Sequence, residues 1–134
     1  MIEPVQIQVR FSDCDMMGHV NNAVYLSYFE YARVKYFARL LGDNRDWQKE
    51  GMILRTNKIE YLKPLFLKDE PVIHIYTENI GYKSFTLSYE VRVKGELTTT
   101  GESVLVCFDS TVQQSILIPE ELKTALERLR KNKK

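Results

Sequence analysis

FSDCDMMGHVNNAVYLSYFEYARVKYFARLL, residues 11–41, decides how the rest of the chain must be arranged. Two acids, Asp13 and Asp15, come first, followed by Gly18, the pair Asn21 and Asn22, and then about five turns of strongly apolar helical pattern. Between residues 24 and 41 the clearly polar side chains are Ser27, Glu30, Arg33, Lys35 and Arg39, while Tyr25, Phe29, Ala32, Tyr36 and Leu40 recur on one face. Val24, Val34 and Ala38 add apolar surface elsewhere, so the pattern predicts a helix wrapped by other structure. A carboxylate a few residues ahead of that helix stands near unpaired backbone N–H groups and the positive end of the helix dipole. A base beside an anion hole is a catalytic arrangement.

Working outward, residues 5–11 alternate Val5, Ile7, Val9 and Phe11 against Gln6, Gln8 and Arg10, the pattern of a half-buried strand. Downstream, Gly42 follows the last periodic position as a helix stop, and residues 46–51 form an irregular connector. A strand is predicted over 52–62, ended by Pro64, and a β-branched central strand over 72–80. Residues 84–94 alternate most cleanly, with Phe85, Leu87, Tyr89, Val91 and Val93 on one side. Gly95 and Glu96 make a tight reversal into a last long strand, 97–109, weakened or bulged near Gly101. Pro119 opens a final helix at its first position, with Leu122, Ala125, Leu126 and Leu129 as its apolar stripe. Hairpin-length turns demand antiparallel neighbours. The expected architecture is α+β, one domain over 1–134, with an antiparallel β-sheet wrapped around a long central α-helix and a C-terminal helix. Its edges favour pairing with a second copy.

A chain of 134 residues buries a core without disulfides or metal, and a net charge of +1 points to neither nucleic acid nor an anionic membrane. The basic tail Arg128, Arg130, Lys131, Lys133 and Lys134 reads as a solvated helix end. Cys14 and Cys107 form no CxxC and no metal-ligand spacing with His19 or His74, so both are expected as free thiols. The opening MIEPVQIQV lacks the basic and apolar regions of a signal peptide, and no apolar run reaches the ~18 residues of a membrane span. The expectation is a soluble, cytoplasmic protein in a reducing compartment. There is no Walker A loop, no G-x-G-x-x-G and no aromatic-basic interleaving for nucleotides or nucleic acid.

The run VRFSDCDMMGHVNNAVYLSYFEYARVKYF, with GYKSF between two long strands, resembles the hotdog-fold acyl-CoA thioesterases of the 4-hydroxybenzoyl-CoA thioesterase and YbgC-like family. The resemblance implies homodimers, often paired again into homotetramers, with active sites at subunit interfaces. It implies hydrolysis of acyl-CoA with no metal or other cofactor, an acyl carrier protein being a second carrier of such thioesters. The second acid of the family's D-x-D motif is catalytic, which maps onto Asp15. A backbone N–H at the start of the central helix polarises the thioester oxygen, which maps onto Asn22 or its neighbours. A Lys-Ser pair near the CoA maps onto Lys83 and Ser84. Aromatic residues of the hydroxybenzoyl enzyme are replaced here by Asn21 and Asn22, its arginines by Gly81 and Tyr82, and a YbgC-like histidine near the helix start by the Asn pair. The GHVNN form is closer to relatives acting on fatty acyl thioesters.

Thioester hydrolysis needs a base or nucleophile and a place for the carbonyl's negative charge. Asp15 serves as general base on water or attacks directly to form a mixed anhydride, and the residues do not choose between these. Gly18 lets the loop turn so that acid and helix end converge. Asp13 reads as a loop hydrogen-bonder, a magnesium-binding D-x-D lacks further acids to complete it, and Cys14 as a buried structural thiol rather than a nucleophile. His19 is either a polar site residue or a packed loop residue, and Asn21 and Asn22 cap the helix or orient water. Tyr25 and Tyr28 line an acyl pocket or pack the core. His74 belongs to core or interface, and Glu30 with Arg33 to a helical pair, Glu30 being a reserve acid. Two other functions fit the same residues: a hotdog hydratase or dehydratase using His19 with Asp15, and a non-catalytic acyl-thioester binding module.

Overall fold

The computed structural model describes residues 2–131. Lys133 and Lys134 of the basic tail lie outside them. Strands β1 (Val5–Gln6), β2 (Gly51–Tyr61), β3 (Val72–Ile80), β4 (Ser84–Val93), β5 (Glu96–Asp109) and β6 (Gln114–Ser115) form one sheet in the order β1-β3-β4-β5-β2, with β6 on β5 and every pairing antiparallel. Helix α1 (Val24–Leu41) lies in the concavity of this sheet, and α2 (Glu120–Arg128) packs against α1 and β3. The α+β wrap expected from the hairpin spacing is the observed one.

Tyr25, Phe29, Ala32 and Tyr36 are buried as the helical spacing requires, joined by Tyr28 and Phe37. They meet Phe85, Leu87, Tyr89 and Val91 of β4, all buried. The wrapping is one-sided, however: Leu26, Tyr31 and Val34 are exposed at 41%, 48% and 60%, because the sheet covers a single face of α1. Gly42 stops the helix at φ 77°, donating its N–H to the Ala38 carbonyl. The β4–β5 reversal sits one residue earlier than the sequence suggests, with Lys94 and Gly95 both at positive φ and Val93 opposite Glu96. Pro119 occupies the position before α2 rather than its first turn, while Leu122, Ala125, Leu126 and Leu129 form the buried stripe.

Two further expectations are corrected. Residues 5–11 do not form one strand: Val5, Ile7 and Val9 alternate into the core, but pairing ends at Gln6 and Phe11 is 81% exposed. The cause is local. Phe11–Asp13 is a 3-10 turn closed by the Asp13 carboxylate, which accepts the Arg10 N–H at 2.9 Å. Gly101 marks no bulge either, since β5 runs in register through it; the register shifts fall at Leu54/Thr56, Thr77/Asn79 and Val91/Arg92. A Cβ at Gly101 would stand 2.7 Å from the Phe29 ring, which stacks on Tyr89 at 4.1 Å. The glycine lets helix and sheet approach.

One long edge is left open. On the β3 side, Thr77 donates its N–H to the Leu129 carbonyl, so the segment after α2 covers that edge. On the other side, β2 presents eleven residues with Ile53 and Leu54 nearly half exposed.

Candidate active site

The loop before α1 is a miniature hairpin. Asp15 N–H donates to the His19 carbonyl at 2.8 Å, Gly18 N–H to the Asp15 carbonyl at 3.1 Å, and Cys14 pairs with Val20. Gly18 carries the turn at φ 81°, a conformation that strains a side-chain-bearing residue. Asn21 N–H donates to the Asp13 carbonyl and Val20 N–H to that of Leu65, which ties the hairpin to the fold just before the helix starts.

The two acids of the motif part company here. Asp13 is 3% exposed and accepts the Tyr28 hydroxyl at 2.7 Å, the Arg10 N–H at 2.9 Å and the Arg10 guanidinium at 3.4 Å. Burial raises its pKa, but these donors and the Arg10 charge outweigh burial and hold the carboxyl below the ordinary Asp range. The same carboxylate, with burial, pushes the Tyr28 phenol far above its usual value. Asp15 is exposed. Its Oδ1 accepts the Met17 and His19 N–H groups at 2.8 and 3.2 Å, leaving Oδ2 without a donor among the described residues.

At the helix start, Asn21 Oδ1 accepts the Ala23 N–H at 2.9 Å and the Asn21 carbonyl accepts the Val24 N–H at 2.9 Å. Asn21 therefore closes the turn that leads into α1, whose N-cap position is Ala23. Asn22 contributes main chain: its carbonyl accepts the Tyr61 hydroxyl at 2.9 Å, and its N–H meets no backbone acceptor among the described residues. Asp15 lies opposite His19 in the hairpin and Asp13 opposite Asn21, so the acid and the Asn22 amide belong to the same short loop.

His19 is half-buried with its ring edge-on to Phe66 at 5.0 Å. Tyr25 is 1% exposed and belongs to the core. Lys83 is exposed and Ser84 half-buried in the β3–β4 turn, where the Lys83 carbonyl accepts the Cys107 N–H. That turn is at the far end of the protomer: Ser84 pairs with Val106 whereas Tyr61, beside Asn22, pairs with Thr99. The eighteen residues of α1 span roughly 27 Å, so one protomer does not bring Lys83 and Ser84 to Asp15.

Other candidates also settle. Arg33 turns to the Tyr89 hydroxyl at 2.9 Å instead of pairing with Glu30, because the phenol lies on the sheet face under the helix. Cys14 is half-buried rather than buried, its thiol 3.9 Å from the Arg10 carbonyl, and burial pushes the Cys107 thiol up to about 11. His74 is half-buried and stacked on Tyr76. In the basic tail, Lys131 bonds Glu90 at 2.9 Å, so it is paired rather than merely solvated. Among the described residues, no group of three or more His, Cys, Asp or Glu gathers in metal-binding geometry, and no helix is long and apolar enough to cross a membrane. A groove of about 530 Å³ runs between α1 and β2, lined by Glu30, Arg33, Phe37, Trp47 and Leu54, and another of about 1100 Å³ passes Asp13 and Tyr28. Neither includes Asp15.

The model of the thioesterase-like superfamily matches residues 9–126. The chain belongs to that superfamily. The Escherichia coli long-chain acyl-CoA thioesterase FadM is 28% identical over 92% of this chain and 96% of its own length. The Haemophilus influenzae acyl-CoA thioesterase YbgC is 28% identical over 92% of this chain and 93% of its own. A Thermus thermophilus thioesterase crystallised with coenzyme A and Zn superposes with a TM-score of 0.81 at 35% identity, covering 94% of this chain and 92% of that one. The hotdog fold of these thioesterases is the fold described above. Sequence reasoning missed two contacts in it, Tyr28 to Asp13 and Tyr61 to Asn22, neither of which leaves a short-range signal.

Proposed function

We propose that this protein is an acyl-CoA thioesterase whose active site is built from two copies of the chain. The reading rests on the loop that leads into α1, where among the described residues Asp15 Oδ2 has no donor and the Asn22 N–H no backbone acceptor. Asp15 takes a proton from water as the water oxygen attacks the thioester carbonyl, and the developing oxyanion is held by the Asn22 amide. Collapse of the tetrahedral intermediate breaks the C–S bond, and the CoA thiolate leaves with the proton that Asp15 held. Direct attack by Asp15, giving a mixed anhydride that water then opens, uses the same groups.

A two-fold pairing of the open β2 edges runs the strands antiparallel, so the Lys83–Ser84 turn of one copy approaches the helix start of the other. This supports a homodimer in which one copy supplies acid and amide and the partner supplies the lysine for CoA phosphates. The exposed face of α1 and the groove beside β2 then meet their counterparts, giving the apolar stripe at Leu26, Tyr31 and Val34 its covering. The edge-on packing of His19 against Phe66 favours hydrolysis over a histidine-dependent hydration.

The test is complementation. Asp15→Asn and Lys83→Ala proteins, each depressed in thiol release from octanoyl-CoA and palmitoyl-CoA, are mixed, unfolded and refolded together. Heterodimers then carry one intact site, and activity rises above the sum of the parents. No rise contradicts the shared site; no thiol release by wild type from any acyl-CoA contradicts the thioesterase.

A further inference from the structure

The start of α1 is held by bonds that leave one amide over. The Asn21 N–H goes to the Asp13 carbonyl, the Ala23 N–H to Asn21 Oδ1 and the Val24 N–H to the Asn21 carbonyl. The Asn22–Ala23 peptide is therefore gripped at its nitrogen from within the loop, and its oxygen is gripped from the sheet by the Tyr61 hydroxyl at 2.9 Å. Tyr61 is itself well placed to act as a fixed point. Its ring meets Tyr25 edge-on at 4.9 Å and 85°, and Tyr25 is a core residue. The next two residues, Leu62 and Lys63, both donate their N–H groups to the Thr98 carbonyl, and Lys63 pairs with Glu96. Partial burial raises the Tyr61 pKa above the usual phenol value, so the hydroxyl keeps its proton across the working pH range.

We propose that Tyr61 is a positioning residue for thioester hydrolysis, its hydroxyl fixing the Asn22 backbone so that the Asn22 N–H stays aimed at the carbonyl oxygen of the substrate. The inference rests on the thioesterase reading. Tyr61 lies outside the D-x-D hairpin and on the open-edge strand, so the same contact ties the residue that carries the oxyanion N–H to β2 through its carbonyl. A donor held in advance is effective because it needs no reorganisation as charge develops; losing one such donor outright lowers turnover about 10²–10³-fold. Loosening it is expected to lower turnover less.

Tyr61→Phe keeps the ring and removes the hydroxyl. The expected result is a fall of about tenfold in kcat on octanoyl-CoA and palmitoyl-CoA, with KM within about twofold of wild type, since the amide acts on the transition state rather than on binding. Amide exchange of the segment 20–25, read by mass spectrometry, is expected to quicken in the variant. Unchanged kcat overturns the proposal, and so does a raised KM at constant kcat, which would mean that the phenol binds substrate instead. Unchanged exchange in 20–25 overturns it independently of any turnover measurement. If wild type releases no thiol, the thioesterase reading falls and this role with it, an outcome told apart by the wild-type control.

Discussion

Asp13 and Asp15 stand two residues apart, one 3% exposed beneath Tyr28 and Arg10, the other open to solvent on a hairpin with one carboxylate oxygen free. On an ideal strand they would share a face. The 3-10 turn at Phe11–Asp13 breaks that alternation and swings the first acid under the helix. A carboxylate saturated by a phenol, an amide and a guanidinium is a fixed anion that anchors the loop, and taking up a proton would sacrifice those bonds. The second acid spends one oxygen on its own hairpin and, among the described residues, leaves the other without a donor. The pair teaches that a D-x-D motif divides its labour by which acid the central helix can reach.

The largest effect that separates the two is on turnover. Asp15→Asn is expected to lower kcat on acyl-CoA by about 10³-fold or more, with thermal melting nearly unchanged because the side chain is exposed. A variant as active as wild type would make Asp15 the ornament and reopen the assignment. The next effect runs the other way. Asp13→Ala strands the Tyr28 hydroxyl and the Arg10 N–H, and should lower stability in urea by about 3 kcal/mol. Asp13→Asn retains an acceptor and should lose less. Equal stability of all three proteins would show that the Tyr28 contact contributes nothing to the fold.

Much of this architecture is legible in the residues because its causes are periodic and local. The alternation through Phe85, Leu87, Tyr89 and Val91 gives β4, the apolar spacing from Tyr25 to Tyr36 gives α1, and Gly42 gives its stop. The position of Asp15 ahead of a helix singles it out for the same reason. What is lost in the sequence is long-range. Gly101 looks like a bulge because nothing near it announces Phe29, whose ring takes the place of its side chain. The hydroxyl that Tyr61 gives to Asn22 crosses from the end of β2 to the start of α1. The separation of Lys83 from Asp15 emerges only once the sheet order is known, and it then makes the second copy an argument of geometry.

The smallest effect sharpens the contrast by titration. Tyr28→Phe removes one of the donors that hold the Asp13 pKa down, the ring staying in the core. Because the folded-state pKa of Asp13 is depressed, its contribution is fully present above the unfolded value of about 3.9 and fades as pH falls through the folded value. The hydroxyl's share, about 1.5–3 kcal/mol for a bond to a charged acceptor, should therefore separate wild type from Tyr28→Phe in urea melts at pH 7. The gap should narrow as pH falls through the folded-state value of Asp13, below the ordinary Asp range, with the variant taking up its proton first. A gap that keeps its size down to a pH at which Asp13 is protonated in both folded proteins would mean that Tyr28 stabilises through packing alone, and that the Asp13 charge is not what the helix reaches for.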